Sequence, residues 1–242
     1  MRALSFLSAA AAPHYQAVTG VVAQALGVAT PPLEAGPLAD LRQVTTSPGP
    51  TLAFLCGMPF VLERDAGSAV EAIAAPVPRS SPGPVYYADL LVRPDAPADR
   101  ASWRVGFNGR DSLSGWELPR HGLRAAGDDP DSIDWIETGS HHRSLELLLA
   151  GEIDAAPIDS TVLDLESSLD RRIGRLQRLA RYGPMPVPPV VLIGASPRVR
   201  DTIRTAILRL SPHVLALGRV ERYVPVTATD YQPVRVLLRA RG

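Results

Sequence analysis

The stretch TGSHHRSLELLLAGEIDAAPID, residues 138–159, reads as a capped helix running into a buried strand. Ser140 offers an N-cap oxygen, Leu145, Leu148 and Leu149 share one face of the helix that follows, and Gly151 ends it. Ala155-Ala156-Pro157-Ile158 is short and apolar, and Asp159 stands at its carboxyl end. In open α/β sheets ligands lie beyond the carboxyl ends of strands, beside helix N-termini. Asp159 and the first-turn histidine His141 therefore become candidate site residues.

Working outward, strands are predicted at 3–8, 51–56, 86–92, 103–108, 134–137, 155–158, 190–193 and 223–226. Helices are predicted at 15–26, 116–126, 142–150, 160–168 and 198–210. The alternation predicts an α/β chain with mostly parallel strands. The 24 prolines and 19 glycines gather in expected loops at 31–32, 47–50, 76–84, 94–97 and 184–189. Two segments, 85–97 and 179–193, read as crossings between lobes, the second too rich in proline for a helix. On that division residues 1–88 with 184–242 form lobe 1 and 93–180 an inserted lobe 2, with hinge crossings near 86–93 and 180–189. A single α/β domain with proline-rich surface loops fits the pattern equally.

Composition removes several functions. All 25 basic residues are arginine, so a Walker-type GK[ST] loop, a lysine Schiff base and an S-x-x-K nucleophile pair are impossible. The formal net charge is zero, without a basic stripe, which argues against nucleic acid. One cysteine, Cys56, excludes an intrachain disulfide and a cysteine metal cluster. His141 and His142 are adjacent and face different ways on a helix, and H-E-x-x-H is absent, so no metal site is expected. No stretch reaches the ~18 apolar residues of a membrane span. The amino-terminal MRALSFLSAAAAPHY loosely mimics a signal peptide, but its short apolar run fits a first strand better.

GRDSLSGWELP, residues 109–119, places two serines and a glycine between a strand and a helix. Ser114 with Glu117 matches the S-x-x-E capping box, and Pro119 moves the main helix start toward itself. The same turn could hold an anion: Ser112 and Ser114 bring hydroxyls, Gly115 allows close approach, and lysine is not needed. A serine nucleophile does not fit, because neither serine has the flanking glycines of G-x-S-x-G. His141 stays open between a solvated first-turn residue and an N–H donor to an oxyanion.

AFLCGMPFVL (53–62), YYADLLVR (86–93), DSLSG with Pro119 and GSHHRSLELLLAGEIDAAPID occur in one order. Together they resemble phosphonate- and phosphite-type substrate-binding proteins of ABC transporters. The resemblance implies the type II periplasmic-binding-protein fold, α/β in two lobes with a hinged interlobe cleft. It implies a small-molecule anion as ligand, an ABC permease as partner, no cofactor and no catalytic residue. Ser112, Ser114 and the Gly115 amide would hold the oxyanion, His141 would donate a further bond, and Asp159 would meet an amine or a protonated oxygen. Tyr15, Met58 and Tyr87 are implied from the lobe 1 side, with core packing as their alternative. Two departures stand out: His142 follows the expected histidine, and Phe60 occupies a position where tyrosine is common. Two alternatives remain open, a ligand sensor and a cytosolic enzyme on the same fold, resembling those of menaquinone biosynthesis, with His141 and Asp159 as acid and base. The chain belongs in the periplasm or outside the cell if a leader precedes it, and in the cytoplasm if it is complete.

Overall fold

The computed structural model describes residues 1–35, 49–99 and 102–240. Residues 47 and 48 of one expected proline loop lie outside them. The chain divides into two compact units: Met1–Val85 with Pro186–Val236, and Tyr86–Met185 with Leu237–Gly242. The carboxyl end from Leu237 thus groups with the second unit, whereas the sequence assigned all of 184–242 to the first.

The first unit is built on a six-stranded sheet. Its strands are β1 (Arg2–Ser5), β2 (Leu33–Ala35), β3 (Thr51–Phe54), β4 (Val70–Pro78), β10 (Val190–Ile193) and β11 (Val220–Val224), in the order β11-β4-β10-β3-β1-β2. The leader-like amino terminus thus supplies β1, parallel to both its neighbours. Helices α1 (Ala12–Leu26), α6 (Pro197–Leu208) and α7 (Pro212–Leu217) bring Val18, Val22, Ile203, Ile207 and Val214 onto Leu52, Phe54, Ile73 and Leu192 of the sheet. Helix α1 stops where Gly27 takes the left-handed conformation, φ 67°. Helices α2 (Gly57–Asp65) and α8 (Gln232–Arg239) are tied by an Arg235–Asp65 ion pair, and Phe60 meets Tyr231 edge-on, with ring centroids 5.1 Å apart. Both helices escaped the sequence prediction.

The second unit holds β5 (Val85–Val92), β6 (Arg104–Phe107), β7 (Asp134–Glu137), β8 (Ala155–Asp159) and β9 (Gln177–Pro186), in the order β7-β6-β8-β5-β9. Its helices are α3 (Leu118–Ala125), α4 (His141–Ala150) and α5 (Ser160–Leu169). Strand alternation separates two cores. Leu91, Ala156 and Ile158 face Leu145, Leu148 and Ile153, while Leu90, Val92 and Ala155 face Trp103 and Val105 on the other side.

Two expectations fail. The strands are not mostly parallel: among the described residues, β3, β4 and β11 join β10 and one another only through antiparallel pairs, and β5 is antiparallel to β8. Prolines 76, 78, 184 and 186 lie in strands rather than loops. Strand β9 is an edge strand, where a missing N–H is tolerated. On β4 the ladder to β10 ends at Ala74, so beyond it one edge has no strand to bond.

Candidate functional site

Strands β7 and β8 flank β6 and run parallel to it, so the carboxyl ends of all three emerge on one edge of the second sheet. Each is followed by a turn whose polar side chain caps the next helical segment. After β6, Ser112 Oγ accepts from the Gly115 N–H at 3.0 Å. After β7, Ser140 Oγ accepts from the Arg143 N–H at 3.0 Å. After β8, Asp159 Oδ1 accepts from the N–H and the hydroxyl of Thr161, both at 2.7 Å. This edge is where the topology concentrates the predicted residues.

The serine turn departs from its sequence pattern. Ser112, not Ser114, is the cap, and Leu113–Glu117 forms a single π-turn in which the Glu117 N–H donates to the Ser112 carbonyl at 3.2 Å. Helix α3 then starts at Leu118 with Pro119 in its first turn, where a missing N–H costs little. The expected capping box of Ser114 and Glu117 does not form. Its failure frees the Ser114 hydroxyl, which meets His141 Nε2 at 3.1 Å. The Gly115 N–H, expected to await an anion, is spent on Ser112 Oγ instead. Glycine is still required at 115, because a Cβ there would overlap Asn108 Oδ1.

The two histidines separate as helical geometry demands. His141 is buried at 8% exposure, while His142 lies outside with its Nδ1 3.0 Å from the buried Glu166 carboxylate. The solvated first-turn residue is thus His142. Burial pushes the His141 pKa down to about 4, against a smaller upward pull from the Pro157 carbonyl, and Nδ1 makes no hydrogen bond of good geometry. The ring is therefore neutral near pH 7, with one N–H to donate.

Asp159 is buried as well, and burial raises its pKa to about 6. Bonds from Thr161 and Val162 oppose that rise, and the neighbouring Asp89 adds to it. Among the described residues all its hydrogen bonds fall on Oδ1, which leaves Oδ2 available. Asp89 is fully buried and held by Arg181 through two bonds, of 2.6 and 2.8 Å.

Tyr87 lies in the second unit, not on the lobe 1 side. Its N–H donates to Ser160 Oγ at 3.0 Å, and the Arg181 guanidinium stands 4.7 Å from its ring centroid. Tyr15 and Met58 belong to the first unit. Tyr15 stacks on Phe54 with centroids 4.2 Å apart, and Met58 is buried in α2. Cys56 precedes α2, half-buried.

Chemically, the cluster offers hydroxyls and a neutral imidazole. Among the described residues no basic side chain bonds Ser112, Ser114 or His141. The Ser114–His141 pair invites comparison with an activated nucleophile, but no carboxylate orients Nδ1, and Asp159 does not bond the ring. Among the described residues there is no group of three or more metal-ligating side chains, and no helix is long and apolar enough to cross a membrane. Asn108, directly after β6, escaped the sequence prediction. Its place at the carboxyl end of WRVGFN was the available signal.

A family model described as the periplasmic substrate-binding protein of phosphonate ABC transporters matches residues 13–231. Sequence comparison with curated proteins returns no match. Among solved structures, the chain is similar to a binding protein component of an ABC phosphonate transporter from Pseudomonas aeruginosa. The TM-score is 0.82 and the identity 15%, over 98% of this chain and 85% of that one. It is also similar to PhnD1 from Prochlorococcus marinus in complex with methylphosphonate, with TM-score 0.80 and 15% identity, over 99% and 97%. The periplasmic aliphatic sulphonate binding protein SsuA from Escherichia coli aligns with TM-score 0.61 and 14% identity, over 99% and 91%.

Proposed function

The chain belongs to the family of periplasmic substrate-binding proteins of phosphonate ABC transporters, and on that premise we propose that it binds a phosphonate-like oxyanion at the carboxyl edge of β6, β7 and β8. The fold is the two-lobed α/β fold of such proteins, and the family delivers a small anion to an ABC permease rather than transforming it. Ser112 and Ser114 donate hydroxyl hydrogens to the anion, and the neutral His141 gives its one N–H to Ser114 Oγ, which turns the Ser114 hydrogen toward the anion. Asp159, through its available Oδ2, accepts from a protonated oxygen or an amine of the solute. Tyr87, of the same unit, joins the proposal as a flanking contact.

The observation that carries this reading is the buried Ser114–His141 pair at 3.1 Å, beside a second buried serine. Buried hydroxyls and an imidazole that no carboxylate orients suit retention of an anion better than attack on a carbonyl. The enzyme and sensor alternatives have no comparable support. The proposal places the chain at work in the periplasm, exported by a leader.

A thermal-shift series with methylphosphonate, phosphite, phosphate and acetate tests it. A ligand that binds only the folded state at about 100 times its Kd adds about 2.7 kcal/mol of apparent stability. Methylphosphonate or phosphite is expected to raise the melting temperature in a concentration-dependent way, and acetate is not. A flat response to every phosphorus oxyanion would overturn the proposal.

A further inference from the structure

Asn108 is the polar side chain at this edge whose environment is least explained by folding. Its Oδ1 is buried without a hydrogen-bond partner, and among the described residues its amide nitrogen has none either. A buried, unbonded carbonyl is costly and rare enough to need a reason. The carboxamide fills the space against Gly115: a Cβ added at that glycine would overlap Oδ1 and lie 2.9 Å from Asn108 Cγ and 3.2 Å from Ser112 Oγ. Asn108 and Ser112 therefore flank the same glycine. Because the carboxamide is planar, pinning Oδ1 against Gly115 fixes the direction of the two amide hydrogens as well.

We infer that Asn108 Nδ2 donates a hydrogen bond to the bound oxyanion, beside Ser112 and Ser114, and that Gly115 is glycine to leave room for this carboxamide. The inference rests on the anion-binding reading of the same turn and adds a residue to it. Without a bonded cation near Ser112 and Ser114, affinity comes from neutral donors, so one more donor to a charged oxygen matters. The cost of the orphaned Oδ1 is then the cost of presenting the amide in a fixed direction.

Calorimetry with methylphosphonate on the wild-type chain and three variants tests this, each at a temperature where its ligand-free form is folded. Asn108→Ala is expected to bind about tenfold or more weaker, the loss of one bond to a charged group. Asn108→Asp keeps the shape but replaces the donor with a carboxylate, so binding in mildly alkaline buffer falls further. Its affinity then recovers on acidification more steeply than the wild type's, as the carboxyl gains a proton to donate. A purely structural role for Asn108 would not produce that recovery. Ser114→Ala serves as the control for the function itself. If Ser114→Ala weakens binding while both Asn108 variants match the wild type, Asn108 is not a ligand residue and the function stands. If the wild-type chain binds none of methylphosphonate, phosphite and phosphate, both readings fall together.

Discussion

Replacing Ser114 by alanine is expected to weaken oxyanion binding by roughly 5- to 150-fold, about 1–3 kcal/mol, the cost of leaving a buried polar partner unbonded. The size follows from the position. Ser114 is only 2% exposed, and its hydroxyl has no capping duty, since Ser112 caps the π-turn. Its one bond among the described residues, to His141 Nε2, leaves Oγ a lone pair and, when the ring donates, its hydrogen for a ligand. The alanine variant therefore removes a donor from the anion and a partner from His141 together. Ser112→Ala gives a useful contrast. It removes a donor from the anion as Ser114→Ala does, but also strips the acceptor from the Gly115 N–H, so it lowers ligand-free stability as well, by about 1 kcal/mol, the usual loss for an N-cap. Titration calorimetry with methylphosphonate, paired with ligand-free melting, separates the two. An unchanged dissociation constant in Ser114→Ala would remove that residue from the site.

How much of this could be read in the sequence depends on whether local pattern or tertiary contact decides. The cap at Ser140 and the stop at Gly151 are local, and both stand where the spacing put them, as does the strand ending in Asp159. The fates of His141 and His142 follow from helical geometry, although only the packed structure shows which one faces inward. The serine turn was misread because the S-x-x-E spacing presumes an α-turn. Here the i→i+5 bond from Glu117 to Ser112 shifts the cap by two residues. Strands β4 and β9 are hidden in the pattern because proline reads as a loop signal, a meaning it loses where one edge of a strand has no neighbour. Pattern shows Asn108 only as the last residue of WRVGFN. Its interest lies in a bond it does not make, and no spacing records that.

The second large effect concerns pH, and it is expected to be nearly invisible in the wild-type chain. His141 has a folded pKa of about 4 against an ordinary value of 6.5, so between those values the unfolded chain binds more protons. Its contribution therefore rises as pH rises through that window, by about 3 kcal/mol in all. Asp159 does the opposite. Its folded pKa of about 6 lies above its ordinary 3.8, so between those values the folded chain binds more protons, and stability falls by about 3 kcal/mol as pH rises. From pH about 4 to about 6 the two slopes offset each other. His14, also lowered by burial, adds to the loss of stability on the acid side and is common to every variant. Asp159→Asn keeps an oxygen that can accept from the Thr161 N–H, so the cap survives while the buried charge is gone. This variant is expected to be more stable than the wild type at neutral pH, by up to about 3 kcal/mol, and to lose stability steeply on acidification. His141→Asn is expected to show the reverse contribution over the same range, opposed by His14 and, toward the acid end, by carboxylates such as Glu34 and Glu146 that arginine bonds hold below their ordinary range. Urea unfolding of the ligand-free proteins across that range reads both slopes. Parallel curves for Asp159→Asn and the wild type would mean that Asp159 is not buried as a charge, and its place at the site would have to be redrawn.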